Sequence, residues 1–219
     1  MYLSHVFTPQ TTSYMLLGLM HQRREGVVCR GFKRRKIDMV ILKTQYHPTL
    51  MTLEGKTVFT RLATRSISIY EEMILLLYTE RYDDYSLPGG GLEPNEDKIQ
   101  GMIRELEEET GAQGIKNIKE FGIYEEYRPW YKSDFDVQHI LSYCYTCDVD
   151  HELGNSRLES YELKNGMRAV WINIYDAIKH NENTMASSEK KGMSIERETF
   201  LLRLIVDTQL DHSTSAASD

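Results

Sequence analysis

Cysteine is scarce in this chain: 219 residues hold three, Cys29, Cys144 and Cys147. So small and odd a number builds no disulfide framework, and the expected setting is a reducing cytoplasm. Cys144 and Cys147 form a CxxC pair within SYCYTCDV, but no second pair completes a zinc site. In a strand, a spacing of three points the two side chains to opposite faces, so both are read as structural thiols. Long apolar runs are missing too. The longest, YMLLGLM at residues 14–20, falls far short of the roughly 20 residues a bilayer span needs. No basic segment precedes it as an export signal would require, and no membrane association is expected. The body of the chain also lacks positive charge. Residues 1–50 carry eight Lys/Arg and two Asp/Glu, which leaves 18 basic and 31 acidic groups for the other 169 residues and a net charge of −7 overall. That balance argues against DNA as a partner and suits a chain that holds divalent cations.

What is present divides into three parts. Residues 1–50 include the basic, poorly periodic run QRREGVVCRGFKRRK and are read as an N-terminal extension, disordered or loosely docked, or made from a start codon the cell does not use. Aromatics are not interleaved with its basic residues, which disfavours an RNA-binding arm. Residues 51–210 form the folded domain, and 211–219 (containing STSAASD) a disordered tail. Within the domain, TVFTRLATRSISIY and MILLLYTE read as strands, and YSLPGGG as a short extended piece ending in a glycine turn. FGIYEEYRP, VQHILSYCYTCDV and MRAVWINI are further strands, and YDAIKH is a short helix. A last helix starts at Ser194 as its cap, with Glu196 and Glu198 in its first turn and Ile195, Phe200, Leu201, Leu204 and Ile205 as apolar contacts. Strands interrupted by helices predict an α/β fold with a mixed sheet packed between helices. No internal repeat is present.

The segment GGGLEPNEDKIQGMIRELEEETGA, residues 89–112, is the most informative stretch. Residues 96–110 read as a helix stopped by Gly111. On a wheel of 100° per residue, Ile99, Met102, Ile103 and Leu106 make a core-facing stripe. Glu105, Glu108 and Glu109 gather beside it, because i, i+3 and i+4 are helical neighbours, while Glu107 points elsewhere. Like charges at that spacing destabilise a helix by a few tenths of a kcal/mol per pair, and here Arg104 is the nearby base. A bland acidic face and a carboxylate set for a hard cation both fit this pattern; Mg²⁺ or Mn²⁺ would turn the repulsion into attraction.

Gly90, five residues, Glu96, seven residues, and then Arg104-Glu105-Leu106-x-Glu108-Glu109-x-Gly111-Ala112 resembles the Nudix box at all nine of its defined positions over 23 residues. YSLPGGG resembles the strand and turn that lead into the box, and AVWINIYDAI the family's late strand-to-helix segment around Trp171. The resemblance covers roughly residues 57–180. It implies a Nudix-type α/β/α sandwich with a mixed β-sheet, and a hydrolase that cleaves a nucleoside diphosphate linked to another moiety with the help of Mg²⁺ or Mn²⁺. It assigns catalysis to Arg104, Glu105, Glu108 and Glu109, and metal ligation to the Gly90 carbonyl with Glu105, Glu108 and Glu109. Arg104 would hold a glutamate in place, and Glu96 would be structural. Many relatives carry an acid just before the late tryptophan, but here Arg168, Ala169 and Val170 precede Trp171. Glu159 and Glu162, or Glu125 and Glu126, are the replacements in reach, and the sequence does not choose among them.

For the substrate, Arg61, Arg65 and Arg81 are candidate phosphate contacts. Tyr127 and Pro129 lie in the aromatic stretch IYEEYRPWYKSDFD, where the family selects its substrates. The expected partner is a small nucleotide, ADP-ribose-like or a nucleotide sugar. Nucleoside triphosphate pyrophosphohydrolysis and a non-catalytic Nudix-fold sensor are the alternatives. Homodimers are frequent in the family and are compatible with this chain.

Overall fold

The computed structural model describes residues 39–210. Its first strand, β1 (Ile41–Tyr46), lies upstream of the expected domain start at residue 51: it pairs in parallel with β6, and Met39 packs into the core. Residues from Met39 on are therefore part of the same fold. The N-terminal charge imbalance hid this strand, because ILKTQY carries little of the period-2 signal a half-exposed edge strand needs. The basic run, Cys29 and the tail lie outside the described residues.

After β1 come β2 (Val58–Ile67), β3 (Ile69–Tyr70), β4 (Met73–Thr79) and β5 (Asp84–Ser86), then helix α1 (Lys98–Thr110). Strands β6 (Lys116–Pro129) and β7 (Val137–Asp148) follow, with the one-turn helix α2 (Ser160–Lys164), β8 (Met167–Asn173), α3 (Ile174–Ser187), α4 (Ile195–Ile205) and a π-helical turn, Val206–Leu210. The strands make two sheets rather than one. The first, ordered β1-β6-β7-β2, is mixed: β1 runs parallel to β6 and β2 parallel to β7, while β6 and β7 are antiparallel. In the second, antiparallel sheet, β4 pairs with β3, β5 and β8.

Side-chain alternation on β4 shows why this stacks as a sandwich. Ile74 and Leu76 join a cluster with Ile174, Ala177, Leu201 and Leu202 of α3 and α4. Leu75 faces the other way, into a cluster with Met102 and Leu106 of α1. A strand buried on both faces reads as a continuous apolar run, and MILLLYT is one. The α/β/α layering expected from the sequence is borne out. Cys144 and Cys147 also fall into the two opposite clusters, both free and buried, as the strand spacing requires.

Candidate active site

The site is built on one turn and one helix. Asp97 caps α1 by accepting the N–H groups of Ile99 (3.0 Å) and Gln100 (3.2 Å), which starts the helix two residues later than the pattern suggested. Gly111, at φ +70°, ends it in the left-handed conformation glycine tolerates. Met102 and Leu106 are fully buried and Glu107 is exposed, as the wheel predicts, but Ile99 is 38% exposed, because the helix has only just begun to meet the sheet there.

The glycine turn lies along β2. Thr64 N–H donates to Gly90 O (2.9 Å), Ser66 N–H to Pro88 O (2.9 Å), and Leu92 N–H to Leu62 O (3.0 Å). Gly89 sits at φ +139°, and a Cβ there would lie 2.1 Å from Thr64 O. Only glycine fits so close to a backbone oxygen. A Cβ on Gly90 would meet the Glu105 carboxyl at 2.5 Å, which locates that carboxylate directly over the turn.

Arg104 is the hub. Its guanidinium binds Glu96 through two bonds (2.8 and 3.0 Å), reaches Glu105 (2.9 Å) and Glu108 (3.3 Å), and donates to Gly91 O (3.3 Å). The Glu96 bonds raise its affinity for its proton and hold the Glu96 carboxyl below its usual range. Glu96 is thus seated as an anchor for Arg104. Glu109 is only 5% exposed and accepts the Gly89 N–H at 2.6 Å. Burial pushes its carboxyl up to about 8, against the pull of that N–H and of Arg65. Burial also raises Glu105, with Arg104 opposing.

The donor chemistry here, oxygen throughout with two carboxylates withdrawn from water, fits a hard divalent cation. Gly90 O spends one lone pair on Thr64 and keeps the other. Among the described residues no three His, Cys, Asp or Glu side chains are gathered into a ready-made cluster, since Arg104 draws Glu105 and Glu108 toward itself.

A cleft of about 290 Å³ opens beside the turn, and Arg61, Arg65, Gly89, Gly90 and Glu109 contribute to its wall. Arg61 is exposed, leans over Gly91 and has no acidic partner among the described residues. Arg65 differs: it donates to Thr64 O and Gly89 O, both at 2.7 Å, so it braces the turn. Arg81 does not line the cleft; it bonds Asn165 (3.1 Å) and lies over the Tyr82 ring, and those two residues do line it. Tyr127 is outside this cleft, stacked between Tyr46 (4.9 Å) and His139 (4.3 Å), and lines a second cavity. Pro129 is exposed at the end of β6 and lines neither.

Three groups were not singled out for the site from the sequence. Buried Asp84 on β5 faces the cleft. From α4, Glu198 accepts Leu87 N–H (3.0 Å) and the guanidinium of Arg197 (2.7 and 2.9 Å), and Arg197 reaches across to Glu126 of β6. Ser194 stands before α4 but makes no side-chain capping bond. Of the four acids left unresolved by the sequence, Glu162 alone stands in this cleft: it is buried, and its charge helps raise Glu109. Glu125 bonds His139 and Thr44 instead, and Glu126 is taken by Arg197 and Arg128. Trp171 stacks on His151, away from the cleft.

The sequence model of the NUDIX domain matches residues 60–192, well over half of the chain. The chain belongs to the NUDIX domain family. The NUDIX relatives include diphosphoinositol polyphosphate phosphohydrolase 3-alpha of Homo sapiens, 32% identical over 112 residues, which are 50% of this chain and 60% of that protein. Diphosphoinositol polyphosphate phosphohydrolase 2 of Mus musculus is 33% identical over 112 residues, 50% of this chain and 54% of that protein. The chain thus spans under two thirds of these relatives' length. Among solved structures, a NUDIX hydrolase from Nitrosomonas europaea aligns at TM-score 0.45 and 19% identity, covering 67% of this chain and 89% of that one. A MutT NUDIX hydrolase from Burkholderia pseudomallei aligns at TM-score 0.40 and 16% identity, covering 53% and 85%.

Proposed function

We propose that this NUDIX protein hydrolyses a phosphoric anhydride bond in a nucleoside diphosphate linked to a second moiety, such as ADP-ribose or a nucleotide sugar, with Mg²⁺ or Mn²⁺. One observation carries this: Glu105 and Glu109 converge on the Gly89–Gly90 turn, half-buried and buried respectively, beside Arg61, which meets no acidic partner among the described residues. A pyrophosphate linkage is polyanionic and repels an incoming hydroxide; Glu105, Glu108, Glu109 and the Gly90 carbonyl would hold the divalent cation, which would supply the charge neutralisation and water activation this chemistry needs. Arg61 binds a phosphate oxygen at the cleft, and Arg81 steadies Asn165 and Tyr82, which line it. Arg65 and Glu198 keep the turn rigid, so that Glu109 stays aimed at the reacting group. Glu162, buried in the cleft beside Glu109, is assigned to take a proton from the attacking water, which leaves Glu109 to the cation.

A second reading comes from the curated relatives, whose names give a diphosphoinositol polyphosphate as substrate. It keeps the same bond chemistry on a more highly charged molecule. The sensor alternative has no observation in its favour, since a sensor would be free to lose box glutamates and this chain keeps all of them.

The test is a ³¹P NMR screen with Mg²⁺ over ADP-ribose, a diadenosine polyphosphate, a nucleotide sugar, nucleoside triphosphates and a diphosphoinositol polyphosphate. Conversion of ADP-ribose or the nucleotide sugar to two monophosphates is the expected result. Turnover confined to triphosphates, or to the inositol compound, would overturn the substrate class.

A further inference from the structure

Side chains alternate between the faces of the mixed sheet, so Arg61 and Arg65 of β2 line the cleft while Thr60 lies on the opposite face. Thr60 stands in register with His139 of β7, and His139 with Tyr127 of β6. Three groups form a relay across these strands. The Glu125 carboxylate meets His139 Nε2 at 2.8 Å, and His139 Nδ1 meets Thr60 Oγ1 at 3.3 Å. Glu125 also accepts the hydroxyls of Thr44 (2.7 Å) and Tyr127 (3.1 Å). Burial opposes its charge, yet these bonds and that of His139 hold its carboxyl below the usual range.

An ionised carboxylate only accepts, so Nε2 carries the ring proton and donates to Glu125. Nδ1 of the neutral ring is then the acceptor that faces the Thr60 hydroxyl. The ring is fixed in plane as well, stacked on Tyr127 at 4.3 Å and within 6° of parallel. A hydroxyl beside a base, and a third group that orients the base, are the parts of an activated nucleophile. The Glu125 and His139 side chains are each 15% exposed, whereas Thr60 ends the relay in solvent.

Strand β2 also supplies a donor for developing charge. Thr64 and Ser66 send their N–H groups, and Leu62 its C=O, toward the glycine turn and away from β7. Thr60 has the same parity on an unbroken register, so its N–H points out of the same edge, where it meets no backbone acceptor among the described residues. The side chains two positions either side on this face, Val58 and Leu62 of β2 and Val137 and Leu141 of β7, are apolar. They offer a phosphate no cation, and the electrophile they suit is a small uncharged carboxylic ester.

We propose that Thr60, His139 and Glu125 give this face a second activity, the hydrolysis of such esters, independent of the cleft. Thr60 Oγ adds to the ester carbonyl as His139 Nδ1 takes its proton, and the carbonyl oxygen's charge meets the Thr60 N–H. The bond to the alkoxy oxygen then breaks, and that oxygen leaves with the proton from His139 as an alcohol. Water adds to the acyl group on Thr60, passing a proton to His139; the Thr60 oxygen departs, regains that proton, and the carboxylic acid is released.

Hydrolysis of p-nitrophenyl acetate by the full chain, with a chelator present to silence metal chemistry, tests this. The wild type should release nitrophenolate and carry acetyl on the Thr60 peptide by mass spectrometry. Thr60→Val keeps the shape and β-branching that suit a strand, so its melting curve should match the wild type while its rate falls on the order of tenfold or more. Thr60→Ser should retain most of the rate, and His139→Gln should lose it as Thr60→Val does. A rate unchanged in Thr60→Val, a Thr60→Ser variant as slow as Thr60→Val, or acetyl confined to other residues would overturn the assignment.

Discussion

Asp84 shows at residue scale how position overrides a side chain's ordinary behaviour. It is 4% exposed, and burial, helped by the charges of Glu198 and Asp83, pushes its carboxyl up to about 6 from 3.8. Because the folded pKa lies above the free value, folding favours the protonated form. The stabilisation is fully present below pH 4 or so and is lost as pH rises through about 6. Asp84→Asn removes the titration. The variant should therefore exceed the wild type at pH 7 by about 1–3 kcal/mol in urea unfolding, with the gap closing toward pH 4. A gap that stays constant across that range would show that Asp84 is not the group responsible. The same principle separates the arginines: Arg61 meets no acidic partner among the described residues, whereas Arg65 is committed to two carbonyls.

The glycine turn and α4 act at element scale as one device. The two glycines make opposite demands. Gly89→Ala sets a Cβ against the backbone of Thr64 at a strained φ and should cost about 3 kcal/mol or more of stability. Gly90→Ala meets only the movable end of Glu105, so stability should change by less than about 1 kcal/mol while kcat falls on the order of tenfold or more. Parallel urea curves and rates check both, and equal effects of the two on stability would contradict the geometry. From α4, Glu198 holds Leu87 N–H and Arg197, and it is 1% exposed. Glu198→Ala leaves Leu87 N–H without its acceptor and leaves Arg197 with Glu126 as its remaining carboxylate, and should cost about 2–3 kcal/mol. Glu198→Gln keeps an acceptor for Leu87 N–H and should lose distinctly less. Chemical denaturation of the pair decides the point, since equal losses would mean that the helix does not brace the turn through this residue.

At the scale of the whole molecule, what the sequence disclosed was what is local. The box helix could be read because its stripe of Met102 and Leu106 and its trio of Glu105, Glu108 and Glu109 repeat at helical spacing, and the opposite faces of Cys144 and Cys147 follow from strand geometry alone. Strand β1 was hidden in a segment whose charge marked it as something else. The links joining Glu198, Arg197 and Glu126 could not be found in advance, because Glu198 meets Leu87 111 positions away and Arg197 meets Glu126 71 positions away. Nothing in their neighbourhoods distinguishes them from solvated helix or strand charges. Choosing Glu162 over Glu159, Glu125 and Glu126 likewise required the folded cleft. The central claim is that carboxylates of the box helix serve a metal-dependent hydrolysis at the glycine turn. Its most direct test is Mn²⁺ binding by electron paramagnetic resonance, measured beside ADP-ribose turnover for the wild type and Glu109→Gln. The account predicts that the variant stays folded, loses Mn²⁺ affinity and loses turnover by on the order of 10²-fold or more. A variant that binds Mn²⁺ as before and turns over within a few-fold of wild type would contradict it.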